Sequence, residues 1–331
     1  MTVNPSDLAT QPIGEAALVV GDVWQLKLPV PFPLRFVSVY LVEGRDGWTF
    51  IDAGYDYPPA RVAWVAGAAA AGCDLAQDAV RIIITHFHPD HIGAARWLQE
   101  RTGAPVCMME REIPFARKLW GSSQTGAFEA YLARHGMVRN MARKTAAEVR
   151  YALPLPNEMV PLRTDEKLPL GESVARVVHA PGHADNQIVL HNEARGILFA
   201  ADHLLLGITP HIGLWPESDP HPLARYLKSL DGMRSLDANL VLPGHGPVFH
   251  HLDRRIGELI LHHEERLQAM RSIIEDGPRT PYEVSRIVFR GTLTLHQRCF
   301  ALAETLAHLD HLVLEDRAQR VEDGPVTFEA T

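Results

Sequence analysis

The spacing of apolar and polar residues predicts strands alternating with helices over the first hundred residues. Runs of β-favouring residues at Val23–Leu28, Phe36–Val42 and Trp48–Ile51 predict three strands. The segment Pro58–Ala71 has the pattern of a helix, and Val80–Thr85, which reads VRIIIT, predicts a fully buried strand. We therefore expect a layered arrangement of sheets and helices in this part of the chain.

The alternation of strands and helices continues to residue 108 and returns after residue 173. His91–Arg101 predicts a helix and Ala104–Met108 a strand. The later elements are strands at Val174–Val178, Ile188–Leu190 and Gly196–Ala200, a helix at Leu223–Leu236 and a strand at Leu240–Leu242. Elements in this order predict an α/β core whose helices lie outside its sheets.

The segment from Glu110 to Arg150 differs from both halves of this core. It favours helix throughout, and its eight Lys and Arg against four Glu give a local net charge of +4. Aromatic residues such as Phe115 and Trp120 are spaced along it. We interpret the segment as a helical insertion, which is either a solvent-exposed basic cover or a lid over a functional site.

The chain after His250 predicts mainly helices. Apolar residues at helical spacing predict a helix over Arg254–Ile274, and Thr280-Pro281-Tyr282-Glu283 forms a capping box that begins a second helix. A third helix is predicted over Thr294–His311. Strands at Leu312–Leu314 and Val326–Phe328 would form a hairpin. Three helices and a hairpin predict a small module of winged-helix type.

Length and charge limit the number of domains and the kinds of partner. A chain of 331 residues has room for about two domains, which we place at residues 1–250 and 251–331. The 32 Lys and Arg against 40 Asp and Glu give a net charge of −8, which argues against a general nucleic-acid or anionic-membrane binder. A small-molecule substrate is therefore expected, and a homo-oligomer remains open.

The cysteines and the N-terminal segment indicate the cellular compartment. Cys73, Cys107 and Cys299 lie far apart and form no C-x-x-C pair, so a thiolate zinc knuckle and a redox dithiol are excluded. Each is expected to be a small buried residue. Met1–Glu15 lacks the basic and apolar regions of a signal peptide, and no run approaches 18 apolar residues. These features predict a soluble cytoplasmic protein without a membrane segment.

A cluster of metal-type ligands follows the predicted buried strand, in the sequence Thr85-His86-Phe87-His88-Pro89-Asp90-His91. In an extended segment, residues two apart point the same way, so His86 and His88 converge. Pro89 favours a turn that places Asp90 and His91 at the start of the next helix. Four ligand-type side chains can therefore face one cavity from the end of a strand.

Three further ligand-type residues also follow strands. His183 lies in an Ala-Pro-Gly-His segment, Asp202 follows the strand that ends at Ala200, and His245 lies between two glycines after Leu242. Glycine lets the backbone approach a site closely. Their recurrence at the ends of successive strands predicts one shared site.

This set of residues closely resembles the metal-binding signature of the metallo-β-lactamase superfamily, over about residues 15–250. The resemblance implies a four-layer αβ/βα sandwich with a two-metal site at one edge. It implies that the first metal is held by His86, His88 and His183 and the second by Asp90, His91 and His245, with Asp202 bridging both. Asp52 matches the family's aspartate that orients the ligand loop. The C-terminal module resembles the winged-helix-like tail of the β-lactamase-like-protein-2 group.

The donor set suggests the metal and the chemistry. Imidazoles and carboxylates without thiolates suit two zinc ions, with iron or manganese as alternatives. Two metals about 3.5–4 Å apart, bridged by Asp202, would also bridge and acidify a water, so that a hydroxide attacks and no Ser or Cys nucleophile is needed. Asp90 can relay a proton. His203 either contacts the leaving group or packs behind the ligands.

These features favour a hydrolase of a small ester or an acyl thioester. The basic glutathione-binding motif of the glyoxalase II branch does not appear, and Leu205 stands where lactonases carry a tyrosine. A nuclease is the main alternative, a lactonase is another, and a binding module without turnover is a third. If the insertion is a lid, its Arg111, Arg117, Lys118 and Trp120 would contact an anionic substrate.

Overall fold

Two β-sheets stacked face to face form the centre of the protein, seen here in a computed structural model that describes residues 8–122 and 124–331. The first seven residues, part of the segment with no predicted signal peptide, lie outside the described residues, as does Ser123 of the insertion. None of the helices within the described ranges is long and apolar enough to cross a membrane.

The first sheet has seven strands in chain order. These are β1 (Ala16–Val20), β2 (Val23–Pro29), β3 (Phe36–Gly44), β4 (Gly47–Ile51), β5 (Ala79–Ile84), β6 (Val106–Met109) and β7 (Val160–Leu162). Strands β1 to β4 pair antiparallel, and β4 to β7 pair parallel. The sequence patterns did not predict β1 and β7.

The second sheet has five strands in the order β12-β11-β10-β9-β8. These are β8 (Lys167–Leu170), β9 (Ser173–His179), β10 (Ile188–Asn192), β11 (Ile197–Ala201) and β12 (Leu240–Pro243). Only the β11–β12 pair is parallel among the pairs within this sheet. Strand β8 was not predicted, because its Lys-Leu-Pro-Leu sequence is too short and too interrupted to show an alternation.

Alternating side chains along each strand build three apolar layers. In β5, Ile83 lies in the layer between the sheets, whereas Ile82 and Ile84 lie in the layer shared with the outer helices. In β11, Phe199 faces the inner layer and Leu198 faces the outer one. Successive side chains of a strand point to opposite faces, so a sheet covered on both sides carries apolar residues on both of its faces. The four-layer sandwich is confirmed.

Three helices cover the first sheet around the site. They are α1 (Pro58–Ala71), α2 (Pro89–Ile92) and α3 (Ala95–Thr102). The expectation of one helix over His91–Arg101 is wrong, because the chain bends at Gly93 and Ala94. The Ala94 N–H donates to Gly54 O at 2.9 Å, which ties the bend to the loop after β4. The short helix α2 is thereby held beside that loop.

Residues 110–150 fold into three helices between β6 and β7, as the sequence predicts. These are α4 (Glu112–Trp120), α5 (Thr125–Arg134) and α6 (Arg139–Val149). Helix α4 packs on β6, and α6 packs on a helix of the C-terminal module. The insertion therefore contacts both the first sheet and the C-terminal module.

The second sheet is covered by α7 (Pro222–Met233) and by the C-terminal module, residues 251–331. The module contains α8 (Leu252–Glu275), α9 (Pro281–Val288), α10 (Leu295–Leu314), β13 (Ala318–Val321) and β14 (Thr327–Ala330). The predicted capping box at Thr280 and Glu283 is present. A second one at Thr294 and Gln297, which was not predicted, begins α10.

The predicted strand over Leu312–Leu314 is wrong. These residues are the last turn of α10, because Leu306, Leu309 and Leu312 recur at helical spacing and are all buried in the core. The hairpin begins later, at Ala318, and its second strand is Thr327–Ala330 rather than Val326–Phe328. The three cysteines are buried and unpaired, as predicted.

The C-terminal module and the second sheet share one hydrophobic core. Leu223 and Tyr226 of α7 are fully buried in the same cluster as Leu302 and Leu309 of α10. We therefore expect truncation after His250 to uncover this apolar surface and cause aggregation. Soluble yield and binding of a hydrophobic fluorescent dye would measure it.

The control is Leu261→Ala, since Leu261 is 59% exposed on α8 and its loss should leave solubility unchanged. A truncated protein that is soluble, binds no dye and keeps its secondary structure would contradict a shared core.

Candidate metal centre

Three imidazoles meet where β5 and β9 end. His86 Nε2 lies 3.0 Å from His88 Nδ1, which in turn lies 2.8 Å from His183 Nε2. The three nitrogens could hold one metal ion, since they all lie within 4.8 Å of one another. Two rings come from the segment after β5 and the third from the loop after β9.

A second group of ligand atoms lies beside the first. It consists of Asp90, His91 and His245, and Asp202 lies between the two groups. One oxygen of Asp202, Oδ2, is 3.5 Å from His183 Nε2 and 3.3 Å from His245 Nε2. The other, Oδ1, is 3.3 Å from His91 Nε2. The fold thus brings all seven predicted ligands to one edge of the sandwich.

Three buried polar atoms at this edge have no hydrogen-bond partner among the described residues. They are His91 Nε2, His245 Nε2 and Asp202 Oδ1. The imidazoles lie within ion-pair distance of the carboxylates, but the angles between them are not those of hydrogen bonds. Buried polar atoms without a hydrogen-bond partner are rare in proteins. A divalent cation would satisfy them, and a nitrogen and carboxylate donor set fits zinc. The residues present therefore fit metal ions.

Asp52 holds the ligand segment from behind. Its Oδ2 is 2.7 Å from His91 Nδ1, and its Oδ1 accepts from the backbone N–H of Thr85 at 2.8 Å. The Thr85 hydroxyl also donates to this carboxylate and lies 3.0 Å from His86 Nδ1. A carboxylate behind a ligand histidine fixes the ring and leaves its other nitrogen free for a metal. The geometry is that expected of the orienting aspartate.

Backbone carbonyls hold two further ligand rings. The Nδ1–H of His245 donates to Phe36 O at 2.9 Å, and that of His183 donates to His211 O at 2.8 Å. Because a carbonyl can only accept, Nδ1 carries the proton in both rings. The Nε2 atoms of both rings therefore face the shared site.

The surroundings of the first group of imidazoles favour their neutral form. Burial, followed by the neighbouring histidines, lowers the pKa of His86 and of His88 well below the ordinary value. Burial also lowers the pKa of His183. A neutral imidazole offers a lone pair, so these shifts favour cation binding by the three rings.

The second group balances positive and negative charge. Burial opposes the charged form of His245, but Asp202 and Asp90 raise its pKa to about 10. Against the same burial, Asp202 and Asp52 raise the pKa of His91. Burial likewise opposes the charged carboxylates, but the histidines lower the pKa of Asp90 to about 2 and that of Asp202 well below its usual value. A cation entering here replaces protons, so binding at this group releases them.

Gly244 allows β12 to approach the ligands. A Cβ at this position would lie 2.3 Å from Asp202 Oδ1 and 2.8 Å from His91 Cε1. Real Cβ atoms essentially never come so close to another heavy atom. The glycine before His245 is therefore required by the packing of Asp202 and His91.

His203 is packed behind the ligands rather than exposed. It is fully buried, its ring centre is 5.0 Å from that of Tyr226, and its Nε2 is 3.2 Å from Ser229 Oγ. Burial and the nearby His183 and His179 lower the pKa of His203 to about 3. Of the two roles considered for it, the geometry is that of a packed histidine.

The predicted lid residues lie on helix α4 and just before it. Trp120 is buried, and its Nε1–H donates to Phe87 O at 2.9 Å, in the middle of the ligand segment. Arg111, which directly precedes the helix, is exposed, as are Arg117 and Lys118 within it. Arg117 Nη2 donates to Asn157 O at 2.7 Å. The structure thus places α4 against the ligand segment and leaves these cations facing solvent.

Several residues near the site carried no recognisable sequence signal. Glu112 is fully buried and accepts from the Phe87 N–H at 3.1 Å, and burial raises its pKa to about 7. Tyr151 packs on Trp120 with ring centres 5.5 Å apart. His211 contributes a backbone carbonyl. A lone glutamate, tyrosine or histidine outside a motif cannot be distinguished from a structural residue by sequence.

Comparison with known proteins assigns the chain to a family. The Metallo-beta-lactamase superfamily profile matches residues 32–245, and the profile of the Metallo-beta-lactamase-like C-terminal domain matches residues 267–331. The chain therefore belongs to the metallo-β-lactamase superfamily.

Relatives extend over nearly the whole chain. A protein of Bacillus subtilis (strain 168) named "Probable metallo-hydrolase YqjP" is 25% identical over 94% of this chain and 98% of its own length. The "Beta-lactamase-like protein 2 homolog" of Drosophila melanogaster is 23% identical over 80% of this chain and 78% of its own. Similarity to relatives with these names supports a metal-dependent hydrolase.

Two solved structures match both parts of the molecule. A metallo-beta-lactamase family protein from Thermus thermophilus is 30% identical with a TM-score of 0.83, covering 94% of this chain and 99% of that one. A beta-lactamase domain protein from Burkholderia ambifaria is 30% identical with a TM-score of 0.86, covering 97% and 96%. The sandwich and the C-terminal module are therefore both matched in each of these structures.

Gly244→Ala should weaken metal binding, because the added methyl displaces Asp202 or His91. We expect a loss of about 10–100-fold in metal affinity, as for other disturbed ligand supports. Competition with a chromophoric chelator measures this loss.

The matched control is Gly232→Ala in α7, where a Cβ meets nothing within 4 Å. It should keep wild-type metal affinity and gain roughly 0.5–1 kcal/mol of stability. Wild-type affinity in Gly244→Ala would show that the close contact does not position the ligands.

Proposed function

We propose that this protein is a hydrolase with two divalent metal ions, most simply zinc, that acts on a small ester or acyl thioester. The observation that carries the proposal is the position of Asp202, whose carboxylate lies between two groups of three ligands. The "metallo-hydrolase" name of the Bacillus subtilis relative supports the same class of reaction.

In this proposal the residues of the chain hold and orient the metal ions and do not act as the nucleophile. The two metal ions, when bound, supply the acidification of a water and the polarisation of a substrate carbonyl. Asp202 Oδ2 lies beside both ligand groups and Oδ1 lies beside the second, so this side chain sets the spacing between the groups. Cys73, Cys107 and Cys299 are all buried, which leaves no accessible thiol among them to attack a substrate.

Asp90 is the proposed proton carrier. Its side chain is 13% exposed, more than the 8% of Asp202 or the 3% of His245. Its Oδ2 lies 3.1 Å from His245 Nε2, so the carboxylate is held at the mouth of the second group. From that position it can take a proton at a carboxylate oxygen and pass it to the leaving group.

The surroundings of α4 support an acyl substrate with an anionic part. Phe87 packs on Phe115 with ring centres 4.9 Å apart, next to Trp120 and the half-buried Tyr151. Phe115 and Tyr151, the partly exposed rings of this group, offer apolar surface beside the ligand segment. The exposed cations of α4 could attract carboxylates or phosphates. An acyl thioester with an anionic carrier combines both features.

A nuclease is the second candidate, because the same exposed cations would also suit a phosphodiester. Against it, residues 252–331 carry ten Arg and fourteen acidic residues, a poor surface for nucleic acid. A lactonase is less favoured, since Leu205, three positions after Asp202, is buried and offers no hydroxyl. We therefore propose a small molecule as the partner.

The proposal is tested by metal analysis together with a panel of thioesters, lactones, β-lactams and short RNA. We expect about two metal ions per chain and hydrolysis of thioesters. Asp202→Ala should lower the metal content and abolish hydrolysis together, because one carboxylate serves both ligand groups.

Asp253→Ala is the control, since Asp253 is an exposed residue of α8 with a side chain 75% accessible. Full activity of a metal-free preparation would contradict the metal-dependent mechanism. If RNA were the only member of the panel to be cleaved, the protein would be a nuclease rather than a thioesterase.

Arg117→Ala combined with Lys118→Ala tests the lid. If these cations bind an anionic substrate, the pair should raise its KM by roughly two- to thirtyfold, as two exposed charge contacts allow. The KM of a neutral ester should be nearly unchanged. Added salt should raise the KM of the anionic substrate, because it screens the same charges.

Arg143→Ala combined with Lys144→Ala is the matched control, because these adjacent cations are exposed on α6 of the same insertion. Equal changes for neutral and anionic substrates would show that α4 is a structural cover.

A further inference from the structure

The loop that joins β11 to α7 runs past the metal centre and is held from both sides. We call residues 204–219 the 204–219 loop. From the insertion, the Tyr131 hydroxyl donates to Leu214 O at 2.6 Å, and Arg150 pairs with Glu217 at 2.8 Å. The loop is therefore anchored at its centre and near its end.

The C-terminal module holds the same loop near its beginning. Arg255 of α8 donates from Nε to Leu205 O at 2.6 Å and from Nη2 to Ile208 O at 2.7 Å. Its side chain is only 11% exposed. A guanidinium has a rigid set of donors, so these two bonds fix the direction in which the loop leaves Asp202.

Helix α10 of the module holds the middle of the loop through His211. The ring donates from Nε2 to Phe300 O at 2.9 Å, and its centre lies 4.8 Å from that of the Phe300 ring. Three residues later, the Leu214 N–H donates to Ala303 O at 3.0 Å. His211 and Leu214 are thus both tied to carbonyls of α10.

Gly213 leaves space for this arrangement. A Cβ there would lie 2.6 Å from His211 Cε1 and 2.8 Å from Trp215 Nε1. The two rings therefore pack over a position that tolerates no side chain, which restricts where the His211 ring can lie.

The backbone of His211 contacts the metal centre. The backbone carbonyl of His211 accepts the Nδ1–H of His183 at 2.8 Å. The other ligand rings are held from the first sheet or the loops beside it. Thr85 contacts His86, Asp52 contacts His91, and the Phe36 carbonyl contacts His245. Among these four rings, His183 is thus held by a loop that the C-terminal module anchors.

We propose that His211 is a positioning residue through which the C-terminal module orients the metal ligand His183. The inference rests on the metal binding proposed above. Its side chain fixes the loop on α10, and its carbonyl fixes the His183 ring so that Nε2 faces His88 and Asp202. The module supplies no ligand, yet the first ligand group depends on it.

The test replaces the His211 side chain and keeps its backbone carbonyl. His211→Gln places an amide N–H close to the position of Nε2, so it can still reach Phe300 O. His211→Asn carries the same amide one methylene short, and His211→Leu has no donor. His296→Leu is the control, since His296 stacks on Phe300 but leaves the bond from His211 intact.

We expect His211→Leu and His211→Asn to bind the first metal ion about 10–100-fold more weakly, as for other lost ligand supports. His211→Gln and His296→Leu should stay near wild type. Affinity is measured by chelator competition, and the absorption spectrum of the cobalt-substituted protein reports the first ligand group. Thermal unfolding of each metal-free variant shows whether it is folded.

Rescue by Gln but not by Asn is the result that a merely structural role would not produce. Wild-type affinity and spectrum in all three variants would overturn the inference, and so would equal losses in Gln and Asn. If Leu prevents folding, the comparison of Gln with Asn decides. A wild-type protein that binds no metal would overturn both this inference and the proposed function. Normal wild-type binding with unaffected variants would overturn the inference alone.

Discussion

The gathering of seven largely buried ligand side chains at one edge of the sandwich is the constraint on which the rest of this structure depends. Imidazoles and carboxylates taken out of water destabilise a fold unless something compensates them. Here the compensation comes partly from charge, since Asp202 and Asp90 outweigh burial and raise the pKa of His245 to about 10. Gly244 gives the steric room for these contacts, because a Cβ there would clash with Asp202 and His91. Among the seven ligand residues, the unsatisfied atoms are His91 Nε2, His245 Nε2 and Asp202 Oδ1, which a metal could bind.

Support for the ligands is divided between two parts of the molecule. The loop after β4 supplies Asp52 and the start of β3 supplies Phe36 O, so the first sheet orients His91 and His245. His183 depends instead on the 204–219 loop, which α8 and α10 hold through Arg255 and His211. The shared apolar core packs the C-terminal module against the second sheet and so supports this loop. The module thus connects to the site through packing and hydrogen bonds.

Local patterns predicted much of the fold and the ligand set. Helix α1 spans the predicted Pro58–Ala71, and the ligands were recognisable because His86 and His88 lie close in sequence after a strand. Residues whose contacts are distant in the chain could not be found, since His211 is 28 positions from His183 and 89 from Phe300. Leu312 was misassigned because a short apolar run fits a strand or a helix end equally well.

The most direct test of the account is anomalous diffraction at the zinc edge from crystals grown with zinc. The account predicts two peaks in contact with Asp202. One should lie among His86, His88 and His183, and the other among Asp90, His91 and His245. No peak at this edge of the sandwich, or a single peak that does not contact Asp202, would contradict the two-metal centre.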